Sequence, residues 1–141
     1  MVSTEVCGTS SSGSNPDSGL FSFKVYIFDL LNTIGYKKNK IIYLSKSAKR
    51  LLQELGKKKV TLILFTSAKK NEVEKGVENL FDKLFFSIDK KNPKNLESIV
   101  KELEKMGCER GEICYVGDNF YEDFIPAVKC GINVLLLRGM I

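Results

Sequence analysis

The sequence predicts an α/β domain built on a single parallel sheet of five strands. Short runs of β-branched and aromatic residues alternate along the chain with segments whose apolar residues recur at helical spacing. This alternation favours parallel strands joined by right-handed helical crossovers, with helices on both faces of the sheet. A chain of 141 residues is long enough for one such domain with a core of its own.

The domain is predicted to follow a disordered tail. Residues 1–20 are rich in Ser, Gly, Thr and Asn and show almost no apolar periodicity, so the folded domain is expected over residues 21–141. The first strand is predicted at 23–28. Residues 36–43 then fit a small hairpin that turns at Lys38-Asn39.

Helices and strands alternate through the middle of the chain. Ser45 is a suitable N-cap for a helix over 46–57, whose leucines fall on one face. The apolar run 60–65 predicts the second strand. Residues 70–80 carry apolar side chains at helical spacing and predict a second helix, and 84–88 predicts the third strand.

A longer helix is predicted in the last third of the chain. Asn92 and Pro93 are a favoured pair for the N-cap and the first helical position, and Gly107 is a typical C-terminal stop. The remaining elements are a fourth strand at 113–116, a short helix from near Tyr121 that contains Pro126 and stops at Gly131, and a fifth strand at 132–137.

Composition restricts the chemistry available to the chain. It contains no histidine, which excludes histidine general bases, histidine zinc ligands and serine–histidine triads. The net charge of +5 comes mainly from lysines in loops and at helix ends, which are more typical of a solvated surface than of a specific nucleic-acid site. Cys114 lies in an apolar strand and Cys130 on a helix, so we expect both to be buried thiols. No CxxC pair, secretory segment or long apolar span is present, so we expect a cytoplasmic location and no membrane association.

Polar residues follow three of the predicted strands. Asp29 ends the first, Thr66 and Ser67 end the second, and Asp118 ends the fourth. Ligands of open α/β sheets bind in the crevice beyond the carboxyl ends of the strands, so these side chains are expected to form one site, with the first strand central between the second and the fourth. Two carboxylates meeting there need a positive charge between them, and Mg²⁺ is the ion that suits oxygen ligands. The alternative is that these aspartates only cap helices.

These motifs resemble those of the haloacid dehalogenase-like superfamily of Mg²⁺-dependent phosphotransferases. The family's first motif is an apolar strand ending in Asp-x-Asp-x-Thr, which here spans Asp29 to Thr33. Its second is a strand ending in Ser or Thr, here Thr66, and its third is a lysine before a helix. Its fourth is a strand ending in Gly-Asp with a further Asp downstream, here Gly117-Asp118 and Asp123. The resemblance covers about residues 23–138 and implies a Rossmann-like, three-layer fold.

The resemblance implies a role for each motif residue. Asp29 is expected to be the nucleophile that forms an aspartyl phosphate, and Mg²⁺ to be held by Asp29, the carbonyl of Leu31 and Asp118. Thr66 and Ser67 are expected to bind the phosphoryl oxygens, and Asp123 to orient the metal site.

The motif lysine is ambiguous from the sequence. Lys90, Lys91 and Lys94 lie in one loop. Lys91 is the favoured candidate, and Lys94, in the first helical turn, is the next.

One position departs from the family's pattern. Its phosphatases place a second aspartate two residues after the nucleophile, as general acid for the leaving alcohol, but here that residue is Leu31. Losing a general acid typically costs about 10²–10⁴-fold in rate. Acyl and aryl phosphates need the acid least, so a slow or specialised phosphohydrolase is expected. The alternative is a weak or inactive member that serves as a binding or scaffold protein.

The spacing of the motifs leaves no room for a cap domain. Between Thr33 and Val60 only the hairpin and one helix fit, and between Ser67 and Lys91 only one helix and one strand. An open site suits a phosphorylated small molecule, a phosphoprotein, or a homo-oligomer in which a neighbour closes the site. A phosphoacceptor receiver domain is a third reading, but it needs an acidic pair after its first strand, where Asp29 stands alone.

Overall fold

Eight strands form two sheets in the computed structural model, which describes residues 3–7 and 23–138. The strands are β1 (Ser3–Cys7), β2 (Val25–Phe28), β3 (Gly35–Lys38), β4 (Ile41–Leu44), β5 (Thr61–Phe65), β6 (Lys83–Phe85), β7 (Ile113–Gly117) and β8 (Asn133–Arg138). The five strands of the predicted parallel sheet are all present, and their ends lie within three residues of the predicted bounds.

The main sheet has the order β1-β8-β7-β2-β5-β6, and its strands from β8 to β6 are parallel. The first strand of the domain, β2, is central between β5 and β7, as the convergence of Asp29, Thr66 and Asp118 required. Phe28 is in register with Leu64 and with Val116. The residues that follow these strands therefore meet at one edge of the sheet.

The edge strand β1 corrects the predicted tail. Ser3–Cys7 pairs antiparallel with β8, with Val6 opposite Leu135, whereas residues 1–20 were predicted to be disordered. An edge strand is held by backbone hydrogen bonds to its neighbour, and such bonds need no long apolar pattern in the sequence. The rest of the predicted tail lies outside the described residues.

Helices cover both faces of the sheet, which gives the predicted three layers. They are α1 (Lys46–Gly56), α2 (Pro93–Lys105) and α3 (Ile125–Lys129). Alternate residues of β2 face opposite ways: Tyr26 and Phe28 pack into the core under α1, and Val25 and Ile27 into the core under α2 and α3. Cys114 and Cys130 are buried thiols in these cores, as predicted.

Both predicted helix caps are confirmed. The Ser45 hydroxyl accepts a hydrogen bond of 3.1 Å from the amide of Ala48, and the Asn92 side chain accepts one of 3.0 Å from the amide of Lys94. Each cap satisfies an amide that has no partner within the helix. The Asn92 cap fixes where α2 begins, directly after the loop that carries the candidate lysines.

The predicted helix over 70–80 was wrong. Two short 3₁₀ turns, Lys70–Glu72 and Val77–Leu80, take its place. Gly76 lies between them with φ +93°, in the left-handed region that interrupts a right-handed helix. Val73 is extended and bridges to Ile42 of β4, so the apolar residues of this segment are buried without helical backbone.

The hairpin β3–β4 turns at Asn39 and Lys40, one residue later than predicted. Both residues have positive φ, +52° and +67°, as a two-residue turn between twisted strands requires. Between β2 and α2 the chain contains only this hairpin, α1, β5, the two 3₁₀ turns and β6. Within residues 23–138 the domain therefore has no cap.

Candidate active site

Asp29 stands at the carboxyl end of β2, where the chain enters a tight loop. Its amide donates a hydrogen bond of 2.8 Å to the carbonyl of Val116, which continues the pairing with β7 by one residue. The amides of Thr33, Ile34 and Gly35 all donate to the carbonyl of Leu30. This turn brings the side chain of Thr33 back to the side chain of Asp29.

Asn32 makes the turn possible. Its φ is +65°, in the left-handed region that asparagine tolerates better than most residues with a side chain. Leu31, the preceding residue, is 36% exposed at the surface of the loop. Leu31, at the position where the resemblance implies an acid, therefore does not serve the core, in contrast with the fully buried Leu30.

Thr33 connects two of the predicted metal ligands. Its hydroxyl donates to Oδ2 of Asp29 at 2.9 Å and lies 3.2 Å from Oδ1 of Asp118. The residue is completely buried. Thr33 belonged to the first motif in the sequence but was given no role there. The structure shows that it holds the two carboxylates at a common position.

Lys90, and not Lys91, is the lysine of the site. Its ammonium forms ion pairs with Oδ1 of Asp29 and, at 2.6 Å, with Oδ1 of Asp123, and its buried side chain places the ammonium 6.0 Å from the ring centre of Phe65 and 5.7 Å from that of Tyr115. Lys91 is exposed, and its amide donates to the Asp89 side chain. The choice of Lys91 is thus corrected, because the turn closed by the hydrogen bond from the amide of Asn92 to the carbonyl of Asp89 buries the side chain of Lys90 and leaves that of Lys91 exposed.

Lys94, the second candidate, is exposed in the first turn of α2. Neither Lys91 nor Lys94 forms an ion pair with an acid of the described ranges 3–7 and 23–138.

Asp123 is a completely buried carboxylate with four donors around it. Its Oδ1 accepts a hydrogen bond of 2.7 Å from the hydroxyl of Tyr115 and faces Lys90. Its Oδ2 accepts hydrogen bonds of 3.1 and 3.0 Å from the amides of Asp118 and Asn119. Asp123 therefore fixes the backbone of the loop that carries Asp118, and its role in orienting a metal site stays a prediction.

The approach of Asp123 to β7 depends on Gly117. A Cβ atom at position 117 would overlap the carboxyl group of Asp123. A glycine at the end of β7 is thus needed for close packing rather than for an unusual φ angle. Tyr115, two residues earlier on the same strand, is a site residue that the sequence analysis missed. In the sequence it is one of several buried residues of an apolar strand, and nothing there indicates that its hydroxyl bonds to Asp123.

The donor set fits a divalent cation. Asp29, Asp118 and Asp123 each offer a carboxylate oxygen within 4.8 Å of the others. Lys90 is the one ammonium paired with this group among the described residues, so three carboxylates face one positive charge and two negative charges remain uncompensated. An ion of charge +2 that prefers carboxylate oxygens and water, such as Mg²⁺, matches that imbalance.

Burial and the neighbouring charges shift the pKa values of the ionisable groups in the site. Burial raises the pKa of Asp29 to about 7, because it outweighs the attraction of Lys90, which is itself partly offset by repulsion from Asp123. Burial also raises the pKa of Asp118. For Lys90, burial lowers the pKa, but the charges of Asp29 and Asp123 outweigh it and the net pKa is raised. Lys90 therefore remains protonated in the site.

Thr66 directly follows β5, the strand that pairs with β2. It is buried, and its hydroxyl accepts a hydrogen bond of 3.1 Å from the amide of Ala68, which leaves its own proton available to donate. Ser67 is exposed one residue further on. Both remain predicted phosphate ligands.

None of the helices in the described part of the chain has the length and apolar character needed to cross a bilayer.

Solved structures with the same fold include several phosphatases. A predicted phosphoglycolate phosphatase from Haemophilus somnus 129pt is 15% identical, with a TM-score of 0.64 over 82% of this chain and 85% of its own. The 3-deoxy-D-manno-octulosonate 8-phosphate phosphatase of Yersinia pestis is 14% identical, with a TM-score of 0.58 over 79% of this chain. That of Moraxella catarrhalis, in complex with magnesium, phosphate and a KDO molecule, is 14% identical, with a TM-score of 0.52 over 70% of this chain.

The match covers only 61% and 59% of the lengths of the latter two enzymes. At these identities the likeness shows the fold.

No curated protein sequence matches the chain. The family described as haloacid dehalogenase-like hydrolase, however, matches residues 14–137, which is most of the chain. The protein therefore belongs to the haloacid dehalogenase-like hydrolase family.

Proposed function

We propose that the protein is a Mg²⁺-dependent phosphohydrolase that works through an aspartyl phosphate on Asp29. The observation that carries the proposal is the arrangement of the buried Asp29, Asp123 and Lys90 with the half-buried Asp118 at one edge of the sheet, where Thr33 contacts both Asp29 and Asp118. A structural role alone would not require three carboxylates to share one ammonium. Burying charges in this way is costly, and such clusters are concentrated at functional sites.

Asp29 is the nucleophile in this proposal. One of its carboxylate oxygens attacks phosphorus, the bond from phosphorus to the leaving oxygen breaks, and the leaving group departs with the electron pair. Thr33 holds Oδ2 of Asp29, and Lys90 faces Oδ1, so the carboxylate is oriented before substrate binds. Water then attacks the aspartyl phosphate, gives its proton to solvent and releases inorganic phosphate with Asp29 restored.

Asp29, Asp118 and the carbonyl of Leu31 would hold Mg²⁺, and Asp123 would orient Asp118 through its loop. When bound, Mg²⁺ supplies positive charge that offsets the repulsion between a carboxylate nucleophile and a phosphate dianion. Thr66 and Ser67 donate hydrogen bonds to phosphoryl oxygens, and Lys90 balances the charge of Asp29 and of the phosphate.

The absence of an acid at position 31 defines which substrates the site serves well. Leu31 has no proton to give, so the leaving oxygen must depart as an anion or take a proton from water. Substrates with stable leaving anions, such as acyl and aryl phosphates, lose least from this. For ordinary alkyl phosphates we expect turnover about 10²–10⁴-fold slower than with an acid in place.

Leu31 also favours a second candidate function. An exposed apolar residue at the position of the general acid is compatible with a domain that binds a phosphorylated ligand or a protein partner without turning it over. The two functions differ in whether phosphate is released. The substrate in the first case is a phosphorylated small molecule or a phosphoprotein, and a cytoplasmic location and a homo-oligomer stay predictions.

Hydrolysis of p-nitrophenyl phosphate and acetyl phosphate, each with and without Mg²⁺, tests the proposal. We expect Mg²⁺-dependent release of phosphate from both substrates, and no release by Asp29→Asn, which keeps the shape of the side chain but not its nucleophilic charge. Phosphate release by Asp29→Asn at the native rate would contradict the assignment. No release by the native protein would favour the binding function.

The metal assignment has its own measurement. Mg²⁺ that binds only the native state raises the melting temperature with concentration by mass action. Asp118→Ala should abolish that rise, whereas Glu54→Ala, an exposed acid on α1, should leave it unchanged. An undiminished rise in Asp118→Ala would place the ion elsewhere.

A further inference from the structure

A cleft of about 450 Å³ lies between the start of α2 and the segment from Asn119 to Lys129. This volume is in the range of sites for small molecules. Lys91 and Asn119 form part of its wall, and each directly follows a residue of the candidate active site, Lys90 or Asp118. The two loops that carry Lys90 and Asp118 therefore also form part of the cleft.

The cleft has an excess of positive charge. Lys91 and Lys129 both line it, and neither ammonium has an ion-pair partner within the described part of the chain. Glu122 is the one acid among the lining residues. An anionic group in the cleft would thus find two cations whose charge is not already paired with an acid.

The remainder of the wall is largely apolar. Pro93, Ile125 and Pro126 contribute to it, together with Tyr121, whose side chain is 76% exposed. Tyr121 lies in a π-helical turn, Phe120–Phe124, a rare backbone form that is often found at functional sites. An exposed aromatic ring beside apolar residues is suited to pack against a flat ligand.

Leu31 provides a separate indication that the ligand of this cleft is an aromatic group. In the reaction proposed above, the missing acid favours leaving groups that are stable as anions, and phenolate is one of them. A flat aromatic leaving group also matches the apolar wall with Tyr121. Because Lys91 and Lys129 both line the cleft, a negative substituent on that ring would add to the attraction.

We propose that this cleft is the leaving-group subsite for aryl phosphates that carry a second anionic substituent, such as a carboxylate. The inference rests on the proposed phosphohydrolase function. Lys91 and Lys129 bind the substituent, and Tyr121 packs on the ring while the phosphoryl group reaches Asp29. As the bond from Asp29 to phosphorus forms, the bond to the phenolic oxygen breaks, and the phenolate leaves with the electron pair and takes a proton from water.

The test compares 3-carboxyphenyl phosphate with phenyl phosphate. We expect kcat/KM to favour the carboxylated ester, through a lower KM, and the double variant Lys91→Ala/Lys129→Ala to reduce this preference by about three- to tenfold, as for two exposed ion pairs. The variant should change kcat/KM for phenyl phosphate little by comparison. Because the preference is compared between variants, the reactivity of the two leaving groups cancels. Lys101→Ala removes an exposed lysine of α2 that does not line the cleft, and it should retain the native preference.

An equal preference in the native protein and the double variant would overturn the subsite while leaving the phosphohydrolase in place. If neither ester is hydrolysed, the phosphohydrolase function fails, and binding then decides the subsite. For this arm, calorimetry on Asp29→Asn and on the same protein with both lysines replaced measures the affinity for each ester. Tighter binding of the carboxylated ester that is lost when both lysines are replaced supports the subsite. Equal affinity for the two esters, or a preference that persists without the lysines, overturns it.

Discussion

The hydroxyl of Tyr115 donates a hydrogen bond of 2.7 Å to Oδ1 of Asp123, and both groups are completely buried. The bond links the middle of β7 to the turn that follows it, across the position of Gly117. Burial raises the pKa of Tyr115 well above its usual value, so the hydroxyl keeps its proton and remains a donor at any ordinary pH.

Tyr115→Phe removes this donor and nothing else from the core. Asp123 keeps its two amides and Lys90, so we expect a loss of about 1.5–3 kcal/mol in the free energy of unfolding, typical of a hydrogen bond to a charged group. Activity should fall about tenfold, as for other residues that orient a ligand-bearing carboxylate. Denaturant unfolding and phosphate release measure both, and Tyr36→Phe, in the exposed hairpin, is the control. Unchanged stability would show that the hydrogen bond is not formed in solution.

Gly117→Ala and Gly56→Ala form a matched pair. The added methyl group at position 117 overlaps the carboxyl group of Asp123, so we expect destabilisation of about 1–3 kcal/mol and loss of activity. At position 56, the last residue of α1, the methyl group meets nothing within 4 Å, and alanine should stabilise the protein by about 0.4–1 kcal/mol. Thermal melting distinguishes them. Equal effects in the two variants would contradict the close packing of Asp123 on β7.

Lys90→Met should abolish most activity, whereas Lys94→Met should not. Removing the ammonium leaves Asp29 and Asp123 without their cation, and we expect kcat to fall about 10²–10³-fold, as for other charges that stabilise a transition state. The metal-free variant should also melt at a lower temperature and gain more from Mg²⁺ than the native protein does. Steady-state kinetics with acetyl phosphate would identify the motif lysine, and a larger loss in Lys94→Met would reverse the assignment.

The metal-free protein should lose stability as pH rises towards 8. Burial raises the pKa of Asp29 from 3.8 to about 7 on folding, so the folded state holds a proton that the unfolded state has lost between these values. This contribution is fully present below pH about 4 and is lost as pH rises through about 7. In EDTA, the native protein should therefore lose more stability between pH 5 and pH 8 than Asp29→Asn, which has no proton to lose. Parallel pH profiles would mean that the pKa of Asp29 is not raised.

Leu31→Asp should restore proton donation to the leaving group. We expect a gain within about 10²–10⁴-fold for poor leaving groups such as alkyl phosphates, reduced by the cost of a further charge near Asp29, and a small gain for acetyl phosphate. Leu31→Asn, which has the same shape without an acid, is the control. Equal gains on both substrate types would contradict the view that position 31 is the vacant acid.

Much of the fold followed from the sequence because buried strands and amphipathic helices leave periodic patterns. The strand ends were predictable for the same reason: a polar residue directly after a buried strand has few structural uses, which singled out Asp29, Thr66 and Asp118. The order of β2, β5 and β7 then followed from the need to bring those ends together, and the sheet topology confirms it.

The errors come from properties that have no local pattern. Lys90, Lys91 and Lys94 differ in which way each side chain points after β6, and this is set by the path of the loop, not by residue type. Gly76 interrupts an otherwise helical spacing of apolar residues because it adopts a positive φ. The Ser3–Cys7 edge strand depends on pairing with β8, more than a hundred residues away in sequence.

The most direct test of the central claim is to detect the phosphoryl group on Asp29. The protein would be mixed with acetyl phosphate and Mg²⁺, quenched in acid during turnover and digested, and its peptides analysed by mass spectrometry. We predict one phosphoryl group on the peptide that contains Asp29, absent when Mg²⁺ is omitted and absent in Asp29→Asn. Turnover with no phosphoryl group on Asp29, or with a phosphoryl group that persists in Asp29→Asn, would contradict it.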